Sequence, residues 1–153
     1  MPDPTTIVPT LDIEALIPHA APMILIDSVA AQGPSLTRSV VRIAEDSMFY
    51  EAPHGVPAYL GIEYIAQTVA AHAGLHARRQ GEPVRVGFLL GTREYKCAVT
   101  WFRLGSRLTI DVTPVLEMTD ISKFRGVIED QLRGKLADCA VTVYLRSGSE
   151  RTS

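Results

Sequence analysis

Residues 54–79 read HGVPAYLGIEYIAQTVAAHAGLHARR, and nearly every position from Val56 to Ala77 is apolar. Glu63 and Gln67 interrupt that run. They stand four apart, so they share one face of any helix the segment forms. A carboxylate taken into apolar surroundings must pair, or its pKa rises until it is neutral. Either a strand Arg or Lys pairs with Glu63, or Glu63 is an acid able to exchange a proton near neutral pH. It lies about one turn inside the helix. The first backbone N–H groups there have no internal partner and the dipole end is positive. An acyl carbonyl at Gly61 and Ile62 would meet those N–H groups as its oxygen gains charge, and Gly61 would admit it closely.

The positioning elements follow from the rest of the pattern. The helix is expected from about Pro57 to about Arg79, with Pro57 in its first turn and Gly81 and Pro83 ending it. An apolar surface all round means a helix surrounded by protein. A membrane span is not expected, because Glu63, Gln67, His72 and His76 interrupt it. Before it, residues 11–19 suggest a short helix ended by Pro18, and residues 23–29 and 35–43 a strand pair. After it come strand patterns at 84–90, 94–102, 107–115, 122–130 and 135–145. Leu108, Ile110 and Val112 alternate with Thr109, Asp111 and Thr113, the period of a half-buried strand. One buried helix with a run of antiparallel strands is an α+β arrangement, a sheet curled around the helix.

The chain has 153 residues, 46% hydrophobic, which suits one domain with its core at about 11–145. Fifteen basic against seventeen acidic residues exclude a general nucleic-acid binder. Cys97 and Cys139 form no Cys-x-x-Cys pair and read as reduced thiols on strands. The opening MPDPTTIVPT lacks the basic start and apolar core of a secretory signal, so a cytoplasmic protein is expected. His72 and His76 have the spacing of a two-histidine metal site, but no third ligand is evident; they read as helix-end residues on a semi-exposed face.

LIPHAAPMILIDSV, followed at a distance by VPAYLGIEYIAQTVA and then by GFLLGTREYKC and FRLGSRLTIDV, resembles the β-hydroxyacyl-acyl-carrier-protein dehydratases. Within them it is most similar to the dehydratase-like proteins of aryl-polyene or polyketide-type lipid pathways. The resemblance implies a hot-dog fold, a homodimer or higher assembly with sheets joined edge to edge, and no cofactor or metal. It implies 3-hydroxyacyl thioesters as substrates, on an acyl carrier protein or coenzyme A. Glu63 would be the catalytic acid, Gln67 would support its orientation, and the acyl chain would run between helix and sheet past Phe88, Leu89 and Leu90. His19, in the Leu-Pro-His segment, would be structural. The family's catalytic histidine stands about fourteen positions before the acid, where this chain has Phe49. The nearest histidine is His54, nine before Glu63, and it is the candidate base. Two rival readings stay open: a thioesterase in which Glu63 activates water, and a non-catalytic acyl-binding subunit of a dehydratase complex. Between Arg78 and Arg107 seven basic residues stand against Glu82 and Glu94, a rim suited to an acidic carrier protein.

Overall fold

The computed structural model describes residues 23–82 and 87–145, without the side chains of 87–90 and 145. The helix expected at 11–19 and His19 lie outside the described residues. Eight strands and one α-helix follow in the order β1 (Ser28–Gly33), β2 (Leu36–Arg42), β3 (Val56–Pro57), α1 (Gly61–Arg79), β4 (Gly87–Cys97), β5 (Trp101–Phe102), β6 (Arg107–Glu117), β7 (Ile121–Asp130) and β8 (Gly134–Leu145). Six strands make one antiparallel sheet ordered β1-β2-β6-β7-β8-β4, while β3 and β5 pair separately. With α1 packed against the curled sheet, this is the hot-dog arrangement.

Alternation places the core. Leu108, Ile110 and Val112 of β6 are fully buried, as are Phe124 and Ile128 of β7 and Cys139 and Val141 of β8. On the outer face Arg38 stands directly opposite Asp111, and the two make a bidentate ion pair at 2.6 and 2.7 Å. Helix and sheet approach most closely at Gly126, where a Cβ would come within 2.5 Å of Ile65 Cγ2. Only a glycine lets Ile65 seat there.

Two expectations need correction. The strands expected at 84–90 and 94–102 are largely one strand, β4. Irregularities between Leu89 and Gly91 and between Arg93 and Lys96 absorb the polar interruption, so the ladder with β8 continues. The segment before Ser28 is not a regular strand, although Asp27 N–H still donates to Val40 O at 2.9 Å. Among the described residues no helix is long and apolar enough to cross a membrane.

Candidate active site

Pro57 belongs to β3, and a 3-10 turn at Ala58–Leu60 precedes α1. That turn moves the helix start. The Gly61 N–H is donated to the Ala58 and Tyr59 carbonyls, so the amides without an intrahelical partner belong to the 3-10 turn. The space beside Gly61 is also filled, because a Cβ there would strike the Tyr95 hydroxyl and Ile128 Cδ1. Tyr95 donates that hydroxyl to Ala58 O, and burial pushes its pKa up. Gly61 therefore spends its N–H on the 3-10 turn and packs closely against Tyr95 and Ile128. Ile62, half-buried, is the next helix residue.

Glu63 is half-buried and Gln67 fully buried one turn on. The Gln67 amide is used from both ends. Its Oε1 accepts the Leu25 N–H at 2.8 Å, and its Nε2 donates to Met23 O at 2.7 Å and Glu63 Oε1 at 3.1 Å. One side chain thus ties residues 23–25 to the helix and orients the acid.

A hollow of about 390 Å³ is lined by Leu25, Asp27, Val41, Arg42, Met48 and Tyr64 among others, and neither Glu63 nor Gln67 is part of its wall. It shares Leu25 with the Gln67 hydrogen bond, and Tyr64 follows Glu63 in the chain. Burial raises the Asp27 carboxyl, which the Arg42 backbone N–H at 2.7 Å and the Arg42 charge partly offset. Burial, with the nearby Asp27 charge, pushes the Tyr64 phenol up, so it stays a neutral donor. Sequence reasoning missed Asp27 and Tyr64. Their only signal was a polar atom within apolar stretches, and their meeting across about forty residues is a tertiary fact.

Phe49 is 46% exposed and sits at φ +68°, an unusual conformation for a side chain of its size. His54 is exposed on the following loop, where its N–H donates to Glu51 O at 2.8 Å. Its ring stacks on Trp101, with centroids 4.7 Å apart. Phe88, Leu89 and Leu90 lie on β4, with side chains outside the described residues.

His72 and His76 part company. His76 is exposed, whereas His72 is buried, contrary to the semi-exposed face expected. Its Nδ1 lies 2.8 Å from Thr37 Oγ1, its Nε2 3.7 Å from Glu117, and its ring meets the Phe124 edge. Burial pulls its pKa down, only partly opposed by Glu117. Among the described residues no group of His, Cys, Asp or Glu could hold a metal ion. Burial also lifts the Cys139 thiol to about 11, with the Asp138 charge adding to it, so it is an inert core thiol. The two ends of the basic rim lie apart. Arg78 and Arg79 end α1, whereas Arg103 follows Phe102, whose ring meets Gly61 at the helix start. Those ends are about 27 Å apart at 1.5 Å per residue.

Residues 11–152 match the family model of ApeP-like proteins, described as ApeP dehydratase. No curated protein matches the chain significantly. Among solved structures, a chain of the dehydratase heterocomplex ApeI:P from Xenorhabdus doucetiae is 26% identical, with a TM-score of 0.83 over 92% of this chain and 94% of that one. The thioesterase HI1161 from Haemophilus influenzae is 12% identical, with a TM-score of 0.61 over 82% of each chain. The PaaI protein from the E. coli phenylacetic acid degradation operon is 9% identical, with a TM-score of 0.59 over 76% and 80%. These last two likenesses are of fold alone.

Proposed function

Because the chain belongs to the ApeP-like dehydratase family, we propose that it dehydrates 3-hydroxyacyl thioesters held on an acyl carrier protein, with Glu63 as the acid. A base takes the C2 proton, and the C2–H electrons form the C2=C3 double bond. The C3–O bond breaks as Glu63 protonates the departing hydroxyl, releasing water and an enoyl thioester. The observation that carries the reading is the Gln67 amide, fully buried and bonded on both sides, which presents Glu63 in one orientation. The hollow walled in part by Tyr64, the helix neighbour of Glu63, would take the substrate. His54 is the base within this chain, reached if its loop turns the ring from Trp101 toward the substrate.

A second reading is favoured by Phe49 at the family histidine position and by the stacked, exposed state of His54. In it, this chain is the acid-bearing or acyl-holding subunit beside a dehydratase chain that supplies the histidine. The relative from Xenorhabdus doucetiae is itself described as part of a dehydratase heterocomplex. The test supplies a 3-hydroxyacyl carrier thioester and follows enoyl product, for the chain alone and with a histidine-bearing dehydratase partner. Enoyl product from the chain alone that is lost in Glu63→Gln supports the first reading. Product only with the partner supports the second. Free thiol without enoyl product would make the chain a thioesterase.

A further inference from the structure

A small pocket lies toward the C-terminal end of α1, between the helix and the β6–β7 hairpin. Its volume is about 140 Å³, well above the share of about 30 Å³ that one water takes. His72, in its wall, stands nine residues past Glu63, about 13 Å further along the helix. The pocket is therefore separate from the Glu63 site.

Two of its wall residues are deeply buried polar side chains, His72 at 5% exposure and Ser122 at 3%. Among the described residues the Ser122 hydroxyl has no hydrogen-bond partner. A hydroxyl taken out of water without a partner is costly, so this one calls for a partner within the pocket. His72 has one ring nitrogen in use, with Nδ1 2.8 Å from Thr37 Oγ1. Its Nε2 faces Glu117 Oε1 at 3.7 Å, too far for a hydrogen bond. Burial favours the neutral ring, so Nε2 can stand as a bare acceptor opposite a carboxylate.

The charge of the pocket points the same way. Glu117 and Glu82 both line it, and it meets the last turn of α1 at Ala77, the negative end of the helix dipole. His76 is in the wall and exposed, whereas Arg79 acts on His72 from outside the wall. A metal ion does not suit, since among the described residues no group of His, Cys, Asp or Glu could hold one. A primary ammonium does, because it brings a positive charge and three N–H donors. Ala73, Ala77 and Phe124 give a short alkyl chain apolar wall to lie against.

We propose that this pocket binds a small primary ammonium, which donates one N–H each to Ser122 Oγ, the Glu117 carboxylate and His72 Nε2. The ammonium fills the gap between Nε2 and the carboxylate, and it fixes the imidazole proton on Nδ1, donated to Thr37. The proposal is independent of the dehydratase reading, because none of these residues takes part in the Glu63 site.

The test is nitrogen-15 NMR of the His72 ring while the full chain is titrated with n-butylammonium at neutral pH. Saturable binding with the proton on Nδ1 is expected. Two controls separate its causes: n-butanol has a similar shape without the charge, and tetramethylammonium has the charge without an N–H. Each should bind about tenfold or more weakly, since hydrogen bonds to charged groups carry the affinity. Glu117→Gln and Ser122→Ala should each weaken n-butylammonium binding by about tenfold. Melting temperature checks that the variants are folded, and Glu117, whose side chain is 58% exposed, serves alone if the Ser122 variant is not. No saturable shift in the wild type overturns the proposal. So does either control binding as tightly as n-butylammonium, which would make the pocket merely apolar or merely a counter-charge. Unchanged affinity in folded Glu117→Gln overturns it as well.

Discussion

Gln67 is the side chain on which the acid depends. A buried amide that meets a backbone N–H, a backbone carbonyl and a carboxylate cannot be replaced without leaving a polar group orphaned. Gln67→Leu should lower stability by about 2 kcal/mol or more, because the Leu25 N–H loses its acceptor. Urea unfolding measures this. Glu63→Gln keeps size and hydrogen bonding but removes the proton donor. It should leave the midpoint of that transition nearly unmoved and cut enoyl formation by about a hundredfold or more, the usual worth of a positioned general acid. Equal turnover would remove Glu63 from the reaction. Glu63 and Gln67 were legible as a pair because a helix of known period allows only one relation between residues four apart. The role of Gln67 as the anchor of residues 23–25 was not, since nothing in the local pattern says which backbone it meets.

At the scale of elements, two contacts set how α1 lies on the sheet. Gly126 admits Ile65, so Gly126→Ala should cost about 1–3 kcal/mol through overpacking. Adding Ile65→Ala should make the combined loss smaller than the sum of the separate losses, because the clash disappears with the side chain. Additive losses would show that the two do not meet. The second contact is polar, where Thr37 and Ser39 of β2 face His72 and Thr68 of α1. His72 has a folded pKa below its unfolded value, so the unfolded chain binds more protons as pH falls. The stability held by neutral His72 is full above its ordinary pKa of about 6.5 and is lost progressively below it. Melting temperature should fall on acidification from neutral pH, and His72→Gln should flatten that slope. An unchanged slope in a folded variant would place the titration elsewhere. From sequence, β6 to β8 were legible by their alternation. The merging of two expected strands into β4 was not, because bulges are settled by the partner ladder.

For the whole molecule, among the described residues the sheet ends on β4, bonded to β8 on one side only. An open strand of this length invites another chain. Light scattering should give at least twice the mass of one chain, either for the protein alone or for its mixture with a histidine-bearing dehydratase. A single-chain mass under both conditions would remove the assembly on which the second functional reading depends.

The linear pattern by itself determined the curled sheet, the buried helix and the pairing of an acid with an amide on one helix face. These are set by local periodicity and by the cost of burying charge, both of which act over a few neighbouring residues. Only the tertiary structure decided that the Gly61 amide is occupied, that His72 is core while His54 leans on Trp101, and that the basic run splits between two ends of a helix. Each of those depends on which distant segments meet. Chain closure sets such meetings, and no local preference encodes them.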